Sequence, residues 1–276
     1  MKILVTGHKG FIGQNLCSFL ADKDYDVIGW EYVPNEIPDP NGFDQVVHIG
    51  GISDTTYENV DQILTQNFEF SRQLLSLCDQ HNVSFQYASS ASVYGTCGNF
   101  KENGPVLPQS PYAWSKYLFD RYITQNLKSF SIPVQGFRYF NVYGKGEEHK
   151  GNMASPYTKF VQQAKSTGKI QLFKGSENYV RDFICVEDIC EVHTQMFHIK
   201  ESGIFNLGTG NPVSFEKVAR AVGSKYNGAI EYIDMPKKLQ SQYQSYTCAD
   251  TAKLDKVIDM NWHDILDYIE KYDLDV

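Results

Sequence analysis

The first thirteen residues constrain the fold of this chain more than any other segment. A short apolar run, Lys2–Thr6, leads directly into Gly7, Gly10 and Gly13, and apolar residues then recur at helical intervals over residues 11–20. A strand that turns through spaced glycines into a helix is typical of a loop that binds the pyrophosphate of a dinucleotide, because glycine permits the tight turn and the close approach of the phosphates. The helix N-terminus adds N–H donors and a partial positive charge. The residues expected at this loop are Gly7, Gly10, Phe11, Ile12 and Gly13.

Short apolar runs and longer helical patterns alternate along the first half of the chain. This alternation predicts an α/β fold, with a Rossmann-type, doubly wound parallel sheet. Strands are expected at residues 26–30, 44–49, 84–88 and 133–137, and helices at residues 57–78 and 110–127.

Beyond Tyr139 a polar loop over residues 141–155 interrupts this pattern, and shorter elements follow. Strands are expected at 182–186 and 203–207. The segments 215–226 and 229–233 and a Tyr- and Gln-rich stretch at 239–250 are expected to belong to a smaller second lobe. We expect residues 1–140 to form the cofactor-binding domain and residues 180–208 to return to it. Residues 141–179 and 209–276 then form a smaller, interleaved C-terminal substrate lobe.

Composition argues against several classes of protein. The 276 residues include 33 acids and 25 bases, a net charge of −8, whereas nucleic-acid binding requires a basic surface. No apolar run approaches the ~20 residues of a membrane span. The six cysteines form no C-x-x-C pair, which favours reduced thiols in a cytoplasmic protein. The histidines show no convergent spacing with cysteines or paired acids, so no metal site is expected.

Glu31 ends the second predicted strand, 18 residues beyond Gly13. An acid near this offset accepts the ribose hydroxyls of NAD and repels the 2′-phosphate of NADP. Residues 32–43 contain no Lys or Arg to receive that phosphate. The expected cofactor is therefore a tightly bound NAD or NADP, with NAD favoured, although Glu31 is also compatible with an ordinary solvated acid at a strand end.

Tyr112 and Lys116 form a Y-x-x-x-K pair on a predicted helix, and the i, i+4 spacing places both on one face. A phenol with a reference pKa of ~10 is a poor base at neutral pH. A neighbouring ammonium favours the phenolate, and so does a cationic nicotinamide. One of the serines at the end of the strand over residues 84–88 is placed to hydrogen-bond the substrate oxygen with which Tyr112 would exchange a proton.

Glycine loop, strand-end serines and Y-x-x-x-K occur here in the order found in the extended short-chain dehydrogenase/reductase family, which the chain resembles along almost its whole length. Further matching motifs lie at residues 137–144, 182–188 and 206–210. The resemblance implies that Ser90 is catalytic together with Tyr112 and Lys116. It also implies cofactor contacts from Ile49, Gly50, Gly51, Asn67 and Val142, although a helix-surface role is the plain alternative for Asn67.

Residues 148–155, 172–178 and 243–247 resemble, more narrowly, the ADP-L-glycero-D-manno-heptose 6-epimerases of that family. This implies oxidation and re-reduction at C6 of ADP-heptose, a nucleotide-diphosphate sugar, with Tyr112 and Lys150 as the two acid–base groups. An exposed loop lysine is the alternative for Lys150, and an inter-lobe salt bridge is the alternative for Arg181. A homo-oligomer is expected. The implied substrate contacts are Asn141, Asn152, Lys159, Phe173, Lys174, Gly175, Ser176, Arg181 and Tyr243.

Other functions remain open at this point. They are a nucleotide-sugar 4-epimerase, reductase or dehydratase, and a non-catalytic NAD-binding protein. The absence of an acidic pair after Ser90 counts against a dehydratase, and the Tyr112/Lys116 pair counts against a non-catalytic protein. Family members normally fit a further helix and strand where this chain has residues 32–43, so we expect an abbreviated adenine side of the pocket.

Overall fold

The computed structural model of the chain describes residues 1–237 and 244–274. Within these ranges six parallel strands form one sheet in the order β10-β5-β4-β3-β1-β2. The predicted parallel, Rossmann-type sheet is therefore confirmed. Its strands are β1 (Lys2–Thr6), β2 (Asp26–Trp30), β3 (Gln45–His48), β4 (Ser84–Ser90), β5 (Val134–Tyr139) and β10 (Gly203–Leu207).

Helices cover both faces of the sheet, which is why β3, β5 and β10 are buried at every position. Alternate residues of β1 point to opposite faces. Ile3 and Val5 pack with α1 (Phe11–Asp22) and α6 (Val186–Met196). Leu4 packs on the other side with α3 (Phe70–Gln80) and α4 (Pro111–Asn126).

The helix predicted over residues 57–78 begins later and is not uniform. α2 (Val60–Leu64) passes into a π-helical turn, Thr65–Glu69, and then into α3. Such insertions are rare and are found frequently at functional sites. The inserted turn contains the buried Asn67.

The connection from β2 to β3 contains neither helix nor strand. Apolar residues of this connection cover part of the sheet face instead. Tyr32, Ile37 and Phe43 pack against the cluster that contains Phe70, and Trp30 stacks on Phe70 at a centroid distance of 5.3 Å.

The remaining elements pack around a second aromatic core that includes Tyr143, Tyr157, Phe183 and Tyr268. Short strands pair as β6 with β9, β7 with β12, and β8 with β11. Their bounds are β6 (Asn141–Tyr143), β7 (Lys169–Phe173), β8 (Val180–Arg181), β9 (Phe183–Cys185), β11 (Val213–Ser214) and β12 (Ala229–Ile233). The helices are α5 (Pro156–Thr167), α7 (Phe215–Tyr226) and α8 (Ile265–Lys271).

One expectation for this region is wrong. The polar segment 141–155 is not a plain loop, because it contains β6 and a 3-10 helix, Glu148–Met153. The strand predicted over 182–186 is present as the shorter β9. Asp182 separates β8 from β9, and its buried carboxylate accepts hydrogen bonds from the backbone of Thr209, Gly210 and Ala249. None of the helices in the described ranges is long and apolar enough to cross a membrane.

Candidate active site

A cavity of about 490 Å³ opens where β1, β3, β4 and β5 end. Ligands of open α/β sheets bind at this edge. The cavity collects most of the predicted cofactor residues together with Lys150. The predicted residues that line it are Gly7, Gly10, Phe11, Ile12, Gly13, Glu31, Ile49, Gly50, Gly51, Tyr112, Lys116 and Lys150.

The glycine loop leaves no space for side chains. A Cβ on Gly7, which has a φ of +74°, would lie 2.6 Å from Gly50 Cα, and a Cβ on Gly13 would lie 2.1 Å from the Gly7 carbonyl oxygen. The backbone of Gly50 thus lies directly against the glycine loop. Gly10 caps α1 without a side-chain hydrogen bond, and the first turn carries no acid. This arrangement fits an anionic diphosphate, because the first N–H groups of the helix are left without side-chain acceptors.

Glu31 lies beside this loop. Its Oε1 accepts a hydrogen bond from Lys9 N at 2.7 Å and lies 3.2 Å from His8 Nδ1. The glutamate side chain is 38% exposed. The carboxylate therefore has a fixed position in the cavity wall while remaining accessible to a ligand.

Ser110 caps α4 by accepting a hydrogen bond from Ala113 N, and Pro111 occupies the first turn. One turn later, Lys116 Nζ donates to the Ala88 carbonyl at 2.9 Å and lies 6.0 Å from the Tyr112 ring centroid. Burial lowers the pKa of Lys116 to about 8, an effect opposed by the Asp120 carboxylate. The Lys116 ammonium is thus held in place near the Tyr112 ring.

Burial raises the pKa of Tyr112, and a hydrogen bond with Ser90 acts in the opposite direction. The structure thus brings Ser90 to Tyr112, although Ser89 rather than Ser90 lines the cavity. Ser89 Oγ is buried and has no hydrogen-bond partner among the described residues. Ser89 is a functional candidate that sequence reasoning did not separate from its neighbours.

Asn67 supports the site from behind the cavity. Its Oδ1 accepts from Ile52 N at 2.8 Å, and its Nδ2 donates to Ile52 O at 2.9 Å and to Ser115 Oγ at 3.0 Å. Asn67 therefore ties the loop after β3 to the helix that carries Tyr112. Val142 also lies outside the cavity lining and packs in the apolar core.

A buried polar network below Lys116 was not predicted from the sequence. Asp120 accepts from Arg138 Nε at 2.8 Å and from Tyr87 Oη at 3.0 Å. Arg138 also donates to Tyr94 Oη, which donates to Asn206 Oδ1 at 2.6 Å. The network links the catalytic helix to β4, β5 and β10. Asp120 follows Lys116 at the i+4 spacing, a signal that could have identified it.

Lys150 lies in the 3-10 helix at the opposite wall of the cavity. Its Nζ is 5.3 Å from the Phe11 ring centroid and 3.6 Å from Glu147 Oε1. Lys159, on α5, belongs to the same region. Burial lowers the pKa of Lys159, Glu147 opposes this change, and the nearby Lys150 adds to it.

Ser176 and Arg181 are predicted substrate residues that do not line this cavity. Ser176 Oγ donates to Glu216 Oε2 at 2.9 Å, and the Arg181 guanidinium lies 5.2 Å from the Phe215 ring centroid. Both contacts are made at the start of α7, and Gly175 precedes Ser176 in a left-handed conformation. Arg181 also donates to the carbonyls of Val180 and Gln244.

Lys174 pairs at 2.8 Å with Asp234 on the surface, and Phe173 ends β7. Asn141 begins β6, and its backbone N–H donates to the Asp182 carbonyl. Asn152 lies on the 3-10 helix that carries Lys150. Tyr243 lies outside the described residues.

Cys185, Glu187 and His263 have donor atoms within 4.8 Å of one another. Burial raises the pKa of the Cys185 thiol to about 12. His263 Nδ1 lies 2.6 Å from Asp188 Oδ1, and Nε2 lies 4.0 Å from Glu187 Oε2. Hydrogen bonds of the His263 ring and backbone N–H with Asp188 account for the arrangement.

A model of the NAD dependent epimerase/dehydratase family matches residues 3–208. The chain is 37% identical to an ADP-L-glycero-D-manno-heptose-6-epimerase of Brachyspira hyodysenteriae, over 91% of this chain and 90% of that protein.

Solved structures share the fold. The Helicobacter pylori ADP-L-glycero-D-manno-heptose-6-epimerase aligns with a TM-score of 0.85 at 23% identity, over 99% of this chain and 94% of that one. The Thermus thermophilus UDP-glucose 4-epimerase, solved with NAD, aligns with a TM-score of 0.77 at 25% identity, over 93% and 92%. From the family model and the identity to the Brachyspira protein, the chain belongs to the NAD dependent epimerase/dehydratase family.

Proposed function

We propose that this protein is a nucleotide-sugar epimerase that inverts C6 of an ADP-glycero-manno-heptose. The observation that carries the proposal is the position of Tyr112 and Lys150 on separate elements lining one cavity. The similarity to the Brachyspira enzyme supports the choice of sugar.

Two acid–base groups suit a reaction in which a ketone must present both faces. Tyr112 or Lys150 accepts the proton of the C6 hydroxyl as the ketone forms, and the other group returns a proton after the ketone has reoriented. Bound NAD would supply the acceptor for the hydride from C6 and the donor for its return to the opposite face of the ketone. Lys116 favours the phenolate of Tyr112, and Ser90 orients its hydroxyl.

The cofactor is proposed to lie along the glycine loop, with its pyrophosphate at the start of α1 and its ribose hydroxyls on Glu31. Gly50 and Gly51 are proposed to contact the cofactor through their backbone. At Gly51 a side chain would not fit, because a Cβ there would lie 2.7 Å from Asn67 Oδ1. NAD is favoured over NADP because Glu31 carries the wrong charge for a 2′-phosphate.

The nucleotide diphosphate is proposed to lie near the start of α7, where Gly175, Ser176 and Arg181 meet. Gln244 connects this region to the reacting centre, because its Nε2 donates to the Gly95 carbonyl just beyond the catalytic serine segment. Asn141, Asn152, Lys159, Phe173, Lys174 and Tyr243 remain predicted contacts. We retain the division into a cofactor domain, residues 1–140 with 180–208, and a substrate lobe, residues 141–179 with 209–276.

A second copy of the chain is the proposed partner of α4. Trp114 and Leu118, four residues apart, are 49% and 38% exposed on this helix. Sedimentation of the wild type and Trp114→Ser tests the self-association: loss of a dimer in the variant supports it, and a monomeric wild type overturns it.

Six unpaired cysteines favour a reducing, cytoplasmic location.

The direct test of function is incubation with each C6 epimer of ADP-glycero-manno-heptose, followed by NMR of the C6 configuration. The expected result is one equilibrium mixture from either epimer, lost in Lys150→Met while NAD binding is retained. Turnover of UDP-sugars at C4, with no change in ADP-heptose, would instead favour a 4-epimerase. If Lys150→Met raises KM and leaves kcat unchanged, Lys150 contributes to binding rather than to proton transfer.

A further inference from the structure

Glu147 is a fully buried acid in the segment between β6 and α5. Its Oε1 accepts a hydrogen bond from Ser155 N at 2.7 Å, and its Oε2 accepts from Thr158 Oγ1 at 2.7 Å. Ser155 is the N-cap of α5, and Thr158 lies in its first turn. Both carboxylate oxygens are therefore fixed to the beginning of one helix.

The same carboxylate faces the two lysines of this region. Lys150 Nζ lies 3.6 Å from Oε1, and the charge of Glu147 also acts on Lys159. The titratable groups around Lys150 are thus Glu147 on its own segment and Lys159 from α5, with His149 in the cavity lining. Glu148, the next acid along the chain, makes a different contact and accepts from Gly146 N.

A buried carboxylate is costly unless it is hydrogen-bonded and paired. Here the hydrogen bonds come from α5 and the positive charge comes from Lys150. Since the acid cannot move without losing both bonds to α5, it restricts where the ammonium can lie. That position is the cavity wall, close to the Phe11 ring.

We propose that Glu147 is a positioning residue for Lys150, whose side chain it directs into the cavity. This inference rests on the proposed two-base function, and it adds a residue that does not touch substrate. Proton transfer at one of the two ketone orientations then depends on Glu147, whereas transfer at the orientation served by Tyr112 does not.

The first test compares single-turnover oxidation of the two C6 epimers, followed by the absorbance of the reduced nicotinamide. Glu147→Gln keeps the shape of the side chain and removes its charge. We expect it to slow oxidation of the epimer that Lys150→Met also slows, by roughly 10- to 100-fold, which is less than the ~10²–10⁴-fold for loss of an acid–base group. The other epimer is expected to react near the wild-type rate. Glu147→Asp is expected to restore part of the loss, and Glu148→Gln is the matched control.

Equal slowing of both epimers by Glu147→Gln would overturn the inference while leaving the proposed function intact. If the wild type oxidises neither epimer, the proposed function fails by itself. A second measurement then still decides the inference, because it requires no turnover.

This measurement is acylation of Lys150 by an amine-selective reagent at one fixed pH, quantified by mass spectrometry. An amine that Glu147 no longer holds at the cavity wall is expected to be labelled faster in Glu147→Gln than in the wild type. Glu148→Gln is expected to be labelled as the wild type is. Equal labelling rates for the wild type and Glu147→Gln would overturn the inference, provided that thermal unfolding shows that the variant is folded.

Discussion

The two ends of the cavity that is proposed to hold the cofactor are built in different ways. At the end proposed for the nicotinamide, Lys116 is buried and bound to a backbone carbonyl, and Asn67 and Asp120 fix the surrounding elements. At the end proposed for the adenine, Glu31 and His8 are 38% and 30% exposed. Proton transfer requires fixed groups and a desolvated ammonium, whereas recognition of a ribose requires an accessible carboxylate. The contrast predicts large effects of substitution at the first end and small ones at the second.

The largest expected effect is that of Tyr112→Phe, which removes the hydroxyl and leaves the ring. Turnover is expected to fall by ~10²–10⁴-fold, the usual contribution of an acid–base group, with NAD binding retained. Steady-state kinetics and cofactor titration measure the two quantities. Tyr117→Phe, on the same helix, is the control and is expected to retain activity. Wild-type turnover in Tyr112→Phe would contradict the assigned chemistry.

Asp120→Asn is expected to be the most damaging to stability. It leaves the buried Arg138 guanidinium, 4% exposed, without its carboxylate. Breaking a buried ion pair costs ~3–5 kcal/mol in the free energy of unfolding. Denaturant unfolding measures this change. The comparison variant is Glu69→Gln, which breaks an exposed pair with Arg72 and is expected to cost less than ~1 kcal/mol. Similar losses of unfolding free energy in Asp120→Asn and Glu69→Gln would contradict the larger contribution expected of the buried ion pair.

Acidification is expected to destabilise the fold through two buried histidines, His48 and His193. Burial lowers the pKa of His48, which is hydrogen-bonded to Thr6 Oγ1, to about 3. Burial also lowers the pKa of His193, the partner of Tyr139 Oη, to about 3. The unfolded chain therefore binds more protons between pH ~6.5 and about 3, so stability is present above that window and is lost as the pH falls through it.

Each of these histidines contributes up to ~1.4 kcal/mol of unfolding free energy per pH unit in that window. Denaturant unfolding at several pH values gives the slope. His193→Gln is expected to reduce the slope, and replacement of the exposed His81 by Asn is expected to leave it unchanged. A His193→Gln slope equal to that of the wild type would show that other groups control acid unfolding.

The smallest expected effect lies at the end proposed for the adenine. Glu31→Gln is expected to change the free energy of unfolding by less than ~1 kcal/mol, because its contact with His8 is exposed. The preference for NAD over NADP is expected to fall by about fivefold, the equivalent of ~1 kcal/mol. Titration of both oxidised cofactors tests this, with Glu36→Gln as the control. Tighter binding of NADP to the wild type would overturn the role given to Glu31.

Features of the fold and site that depend on a local residue pattern could be predicted from the sequence. The Gly7–Gly13 loop, the Tyr112/Lys116 pair and the alternation of strands and helices are recognisable because their spacing reflects the geometry of one turn or one helix face. Contacts made by distant residues are not recognisable in this way. Glu147 is an ordinary loop acid in the sequence, and its burial depends on where α5 begins.

The π-helical turn at Asn67 illustrates the same limit. Its residues have no unusual helix propensity, and the extra residue in the turn is stabilised by contacts with Ile52 and Ser115. Asp182 likewise separates β8 from β9 because of acceptor contacts to residues more than 25 positions away. Both features arise from packing between elements that are distant in the sequence. The periodicity of apolar residues does not reveal such packing.

The order of the sheet has a consequence for synthesis of the protein. β5 ends at Tyr139, but its outer neighbour β10 begins only at Gly203. At 5–20 residues per second, a ribosome needs roughly 3–13 s to add the intervening segment. Throughout that interval the edge of β5 has no partner strand, and an uncovered apolar edge can pair with another chain. The nascent protein is therefore most prone to aggregation after its nucleotide-binding half has been made and before residue 207 has emerged.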